Sequence, residues 1–198
     1  MTFIATFRPK RCNSRKGGCS AMFTPTRSFQ DWCSPECAVK IAKFKLDKKL
    51  AKEKTQDKHQ TRAQLEALKT IPMLKREAQT SFNAWIRARS KAEGHVCISC
   101  GSELDWDGRR GGMVDAGHLR SVGAADHLRY NPDNCWAQCK HCNRDLSGNV
   151  IAYRMGLVQR IGLARVETLE NNNEVHKWTR DELRCIREIY RSKIKEFA

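Results

Sequence analysis

Two short cysteine knuckles, Cys97 with Cys100 and Cys139 with Cys142, are the residues whose spacing most directly implies chemistry. Each is a C-x2-C unit, and 38 residues lie between them. Four thiolates in two such units satisfy tetrahedral Zn2+. A closed set of this kind is structural, because no coordination position is left for water. Cys135 is a spare thiol that can replace Cys139 as a ligand, although C-x2-C is the more usual geometry. A second set, Cys12, Cys19, Cys33 and Cys37, follows C-x6-C-x13-C-x3-C in a turn-rich stretch. It suits a small zinc-ribbon-like module holding a second Zn2+; the competing reading is four unrelated thiols.

The segment between the knuckles carries Asp115 and His118, and Asn143 follows the second knuckle directly, where a helix can start. A metal nuclease needs a hard cation held by oxygen ligands beside the scissile phosphate and a base that deprotonates water. Asp115, His118 and Asn143 supply those types in one zinc-pinned module, with Mg2+ or Mn2+ as the catalytic ion. Each also has a plainer reading: His118 as a core histidine, Asp115 as a turn residue or an arginine's partner, Asn143 as a helix cap. Asp126 and His127 form a rival acid–histidine pair, in the loop expected between two strands. His141, inside the knuckle, reads as exposed or near phosphate rather than as a ligand. Arg109, Arg110, Arg120, Arg129, Lys140 and Arg144 flank these residues and are candidates for phosphate contacts, against the alternative of a scattered solvated surface.

The whole chain supports a polyanion partner. Its 198 residues hold 37 Lys and Arg against 22 Asp and Glu, a formal net charge of +15. A surplus of that size is the electrostatic footprint of nucleic-acid binding. A ribosome-like structural protein or a merely basic protein would share it. Aromatics make up 8% of residues, so the cores are small, and the ten cysteines are candidate staples. The opening residues are too short an apolar run for a signal peptide, and no segment approaches a membrane span. A cytoplasmic, reducing setting is expected, where paired knuckles favour zinc over disulfides.

Four regions are predicted: a zinc-binding module over 1–37, a basic helical arm over 38–94, a metal-nuclease core over 95–150 and a helical segment over 151–198. Residues 38–70 are rich in Ala, Lys, Glu, Gln and Leu, without Pro or Gly, and read as a largely solvated helix that either stays in water or touches DNA backbone. Pro72 is expected to break it. A second helix over about 74–91 places Phe82, Trp85 and Ile86 on one face for packing on the next module. Residues 150–170 read as helical. Thr179 and Glu182 stand in capping-box relation, opening a last helix with an apolar stripe that includes Leu183, Ile186 and Tyr190. That stripe packs on the core or on a second copy. Cys185, near it, is expected to be a small buried hydrophobe.

The runs CISCG, DAGH, LRYNPDN, CKHCN and SGN are together similar to HNH endonucleases with a zinc-stabilised ββα-metal fold. That resemblance implies an α+β fold, with His118 as general base, Asn134 as a loop brace, and Asn143 with Asp115 as ligands of the catalytic ion. Gly117 departs from the family pattern, which often places an acidic ligand directly before the base. The whole layout, from the N-terminal cysteine cluster to the capped last helix, resembles the phage lambda NinG (Rap) recombination nucleases. Resemblance to that family implies a structure-specific endonuclease acting on branched DNA such as Holliday junctions and D-loops, encoded by a phage or prophage. Cutting two strands of a junction would favour a homodimer, an expectation from that function rather than from the sequence, and phage recombination proteins are candidate partners. The rival readings are an HNH nuclease of linear duplex, a non-catalytic zinc-finger DNA-binding protein and a structural protein of a nucleoprotein complex.

Overall fold

The computed structural model describes residues 7–108 and 114–197 and separates into two compact units, residues 1–68 and 69–198. The helical stretch expected over 38–94 is therefore shared: its first helix belongs to one unit and its second to the other.

In the first unit, β1 (Lys10–Arg11) pairs antiparallel with β2 (Met22–Phe23), Lys10 opposite Phe23. Helix α1 (Pro35–Leu68) follows, 34 residues long. Pro35 suits its first turn, where no intrahelical N–H is required. Only Cys37 and Ile41 of α1 are buried. They seat its first turns on Cys12, Phe23, Trp32 and Cys33, and the rest of the helix is solvated, as its charge-rich composition dictates.

The second unit is built on α2 (Ile71–Ala92). Thr70, in extended conformation, precedes it, and Pro72 stands in its first turn. The proline thus opens a helix, since its fixed φ and missing N–H are tolerated there. Leu74, Ala78, Phe82, Trp85 and Ile86 recur at helical spacing and form the buried stripe of α2. The stripe packs on Leu183 and Tyr190 of α5 (Arg180–Ile194) and on one face of a hairpin, β3 (Asp115–His118) with β4 (Cys135–Gln138). Phe82 and Tyr190 meet edge-on, with ring centroids 4.9 Å apart. Such a pair contributes about 0.5–1.5 kcal/mol beyond area burial. The capping box of α5 forms with both arms, Thr179 to the Glu182 backbone and Glu182 back to Thr179. Cys185 is exposed rather than buried; its position on α5 turns away from the Leu183–Tyr190 stripe.

The hairpin register sets Asp115 opposite Gln138, Ala116 opposite Ala137, Gly117 opposite Trp136 and His118 opposite Cys135. Alternation then divides the side chains between two faces. Cys135 and Ala116 join the α2–α5 core. Trp136 joins a second core with Tyr153 and Leu157 of α3 (Val150–Ile161) and Val166 and Leu169 of α4 (Leu163–Asn171). The helix expected over 150–170 is two helices, because Gly162 sits between them at φ 83°. The Arg89 guanidinium stacks over Trp85 at 4.8 Å and Trp136 at 4.2 Å, and so bridges the two cores.

Helix α3 lies close against the first knuckle. A Cβ added at Gly156 would collide with the Ile98 carbonyl oxygen. Gly156→Ala is expected to force α3 outward and to cost about 1–3 kcal/mol, the usual range for overpacking. Chemical denaturation reads this as a lower midpoint; an unchanged midpoint would mean that α3 can slide without loss. Among the described residues, no helix is long and apolar enough to cross a membrane.

Candidate functional site

Each cysteine cluster assembles as its spacing predicts. The sulfurs of Cys97, Cys100, Cys139 and Cys142 lie within 4.8 Å of one another, as do those of Cys12, Cys19, Cys33 and Cys37. Four ligands about 2.3 Å from a tetrahedral ion stand about 3.8 Å apart. Cys100 and Cys139 are 3.8 Å apart, Cys33 and Cys37 3.8 Å, and Cys19 and Cys33 3.3 Å. Both sets can hold zinc. Cys135 is not a ligand; it is fully buried at the start of β4, and burial pushes its thiol well above the ordinary range.

The second-unit cluster clasps distant pieces of chain. The Cys139 amide donates to Cys97 Sγ at 3.3 Å, and the Ile98 amide to the Ala137 carbonyl at 3.2 Å. The chain after Cys139 makes one π-helical turn, His141–Asp145, before α3. That turn brings Asn143 back to the start of β3, where Asn143 Nδ2 donates to Asp115 Oδ2 at 3.0 Å. Arg144 grips the same carboxylate in a two-point fork, Nε to Oδ2 at 2.7 Å and Nη2 to Oδ1 at 3.0 Å. Burial pushes the Asp115 carboxyl up, but the Arg144 and Asn143 hydrogen bonds and the charges of Arg144 and Arg87 outweigh it and hold Asp115 below the ordinary value. Because Asn143 spends its amide N–H on Asp115, its side-chain oxygen remains available as an acceptor. Asp115 and Asn143 thus offer oxygen donors of the kind Mg2+ and Mn2+ take, and those ions usually complete their shells with water and phosphate oxygens. The donor types suit such an ion, with both Asp115 oxygens now held by Arg144 and Asn143, so that an ion would have to displace the Arg144 fork.

Asp115 and Arg144 lie on a cavity of about 450 Å3, also lined by Arg87, Lys91, Trp106 and Val114. Arg87 and Lys91 project from α2 at i, i+4 spacing. Sequence reasoning locates the helix and its apolar stripe but not this polar pair. The i, i+4 spacing is visible in the sequence, yet only the packing of α2 on the hairpin turns it toward Asp115. Trp106 enters from the loop after the first knuckle and has no periodic signal at all.

His118 ends β3 three residues from Asp115, so alternation places the two on opposite faces of the hairpin. The His118 ring packs on Phe82, with centroids 6.2 Å apart. Its Nε2 lies 3.1 Å from the Arg129 carbonyl. A carbonyl only accepts, so Nε2 carries the hydrogen and the Nδ1 lone pair is left to Cys135 Sγ, a weak partner 3.7 Å away. Burial, with the charge of Arg129, lowers the His118 pKa against the opposing pull of the Arg129 and Ala116 carbonyls, so the neutral ring is favoured. Gly117 stands where the HNH pattern often has an acid. A Cβ there would collide with Gln138 Oε1, so the space a ligand would occupy is filled by the Gln138 side chain.

Asn134 is fully buried. It accepts from the Arg120 amide at 2.9 Å and donates to the Arg120 and Leu128 carbonyls at 3.0 and 3.2 Å, bracing the loop between the strands. The remaining residues singled out by sequence divide. The Arg120 guanidinium is taken up by the end of α4, donating to the carbonyls of Leu169, Glu170 and Asn172. Arg129 is held by Asp126 at 2.7 Å and Gln79 at 3.2 Å. These hydrogen bonds tie both arginines into the fold. Lys140 is exposed, and Arg109 and Arg110 lie outside the described residues. The rival pair is structural: Asp126 bonds Lys75 and Arg129, and His127 Nε2 lies 3.0 Å from the Asn172 carbonyl. His141 is exposed beside Asp145, at 3.1 Å.

Fold and site together define a small α+β protein with two four-cysteine clusters of zinc geometry, one of which clasps a hairpin to the turn carrying Asn143. The chain belongs to the NinG family: the family model described as Bacteriophage Lambda NinG protein matches residues 5–198. It is 36% identical over 202 residues to Protein ninG of Salmonella phage P22, covering 94% of this chain and 93% of that one. Protein ninG of Escherichia phage lambda is 36% identical over 204 residues, covering 96% and 94% respectively. That of Escherichia phage 933W is 35% identical over 191 residues, covering 90% of each. No solved structure matches the chain.

Proposed function

We propose that the protein is a divalent-metal-dependent, HNH-type DNA endonuclease that hydrolyses phosphodiester bonds in branched recombination intermediates such as Holliday junctions and D-loops. The observation that carries this reading is the hydrogen bond joining Asp115 to Asn143 across 28 positions of sequence. It joins a second oxygen-donor side chain to Asp115, which lines a cavity rimmed by arginine and lysine, at the root of the strand that ends in a neutral histidine. Bound Mg2+ or Mn2+ supplies positive charge to the scissile phosphate and to the leaving oxygen. The chain's own residues do the rest. Arg144 is 58% exposed and can swing from Asp115 to a phosphate oxygen. His118, held by the Arg129 carbonyl, is the base in this reading, and its Nδ1, which faces Cys135 Sγ, would have to turn toward the Asp115 side to take a proton from water. Asn134 holds the loop that supports both. Zinc in the Cys97 cluster keeps β3 and the Asn143 turn in register. Two cuts in one junction call for a second copy of the chain, and phage recombination proteins are the natural partners.

The strand alternation that separates Asp115 from His118 favours a second reading, a non-catalytic zinc-stabilised DNA-binding protein. Cleavage assays with Mg2+ or Mn2+ on a four-way junction and on linear duplex of the same sequence decide among the readings. Divalent-dependent cutting that is faster on the junction is the expected result. Equal rates on both substrates would leave an HNH nuclease of linear duplex. Binding without cutting in either ion would leave the non-catalytic reading.

A further inference from the structure

The cavity beside Asp115 has a wall that metal binding does not use. Arg87 and Lys91 stand one helical turn apart on it, and among the described residues neither side chain takes part in a hydrogen bond or ion pair, although the charge of Arg87 is felt at Asp115. Among the described residues that line the cavity, Asp115 is the one acid, and Arg144 already grips it. Two further positive charges therefore face the cavity in excess, and Trp106 supplies an indole beside them. The cavity, about 450 Å3, falls in the size range of small-molecule sites. It suits one nucleotide rather than a paired helix.

We propose that Arg87, Lys91 and Trp106 form a nucleotide subsite that holds a phosphate on the two cations and stacks an unpaired base on the indole. This rests on the DNA-binding part of the function proposed above and names what the site selects. Inside a duplex both faces of a base are covered by its neighbours. A base at a branch, flap or gap has a free face and can enter such a cavity at little unstacking cost. Stacking on an aromatic side chain favours any base, because every base has a π-face. The subsite therefore reads the absence of pairing rather than sequence, and it does so next to the residues proposed to cut.

The test uses the full zinc-loaded chain without added Mg2+ or Mn2+, and a forked DNA carrying 2-aminopurine at the unpaired position next to the branch. Binding is expected to quench the probe. Trp106→Ala should lose the quench and weaken affinity by about tenfold, within the usual worth of one stacked base, whereas Trp106→Phe keeps most of both. The Arg87→Gln/Lys91→Gln double variant should make the fall of affinity with salt shallower by about one unit of slope, as expected when one DNA phosphate is no longer neutralised. Zinc content, measured for every variant, confirms that the fold is retained. Excess deoxyadenosine monophosphate separates sources: displacement of the probe shows that a free nucleotide suffices, and no displacement shows that the strand is required. Equal quenching by wild type and Trp106→Ala, or equal quenching of a fully paired probe, overturns the subsite while leaving the nuclease reading intact. If wild type binds no DNA, both fall.

Discussion

Replacing His118 with alanine is expected to cut divalent-dependent DNA cleavage by about two to four orders of magnitude, the usual worth of a general base, while DNA affinity and zinc content stay near wild type. Nε2 is committed to the Arg129 carbonyl at 3.1 Å, and this leaves the lone pair on Nδ1. Burial lowers the pKa of the ring, so the basic form is already present at neutral pH, and the acid limb of the rate profile should fall below about 6.5, the value of an unperturbed histidine. The same shift has a stability sign. The unfolded chain binds the proton before the folded one does, so the contribution of His118 is present above about pH 6.5 and is lost as pH falls through the depressed folded value. The alanine variant also removes a ring packed on Phe82 and should melt somewhat lower. Added imidazole separates the two roles: it can restore part of the cleavage lost with a base, and none of a rate lost through packing. An alanine variant that cuts at the wild-type rate sinks the assignment.

The candidate site is legible in the sequence where its chemistry depends on local spacing. The two C-x2-C knuckles and the C-x6-C-x13-C-x3-C run need only thiols at short intervals, and both sets close to zinc geometry. The capping box at Thr179 and Glu182 is also a local rule and forms in full. Properties set by tertiary direction are not legible. Arg120 and Arg129 carry the same charge as Arg144 and lie as near the motif in sequence. Only packing shows that the first ends on α4, the second on Asp126, and the third on the proposed metal ligand. Pro72 reads equally as a helix breaker or a helix opener, and the choice depends on whether the chain resumes after it. By pattern Gly117 reads as a missing ligand; the Gln138 side chain lying over it makes it a required small residue. Residue type alone assigns Cys185 to the interior, but α5 buries a narrow stripe and Cys185 falls outside it.

Cys97→Ser is expected to unfold the hairpin region, because this thiol belongs to a set that can hold zinc and is a core residue at once. It is 1% exposed and packs with Leu104, Val114, Ala137 and Cys142. Its sulfur also accepts the Cys139 amide at 3.3 Å, which ties the two knuckles together even apart from the ion. Structural zinc contributes on the order of 10 kcal/mol to small metallo-domains. Whole domains are stable by only about 5–15 kcal/mol, so the second unit has little margin without it. The expected result is loss of one equivalent of zinc, loss of the cooperative melting of that unit, and loss of both DNA cleavage and the Trp106-dependent signal. Cys37→Ser removes a ligand of the other cluster, and because the first unit has its own core around Cys12, Cys37 and Ile41, only that unit should melt. The contrast is diagnostic. If each serine variant loses one zinc but only Cys97→Ser abolishes cleavage in the presence of Mg2+ or Mn2+, the Cys97 cluster is the clasp that holds Asp115 to Asn143. A Cys97→Ser protein that keeps two zinc ions and its melting transition would show that the hairpin stands without the clasp, and the register of Asp115 and Asn143 would need another cause.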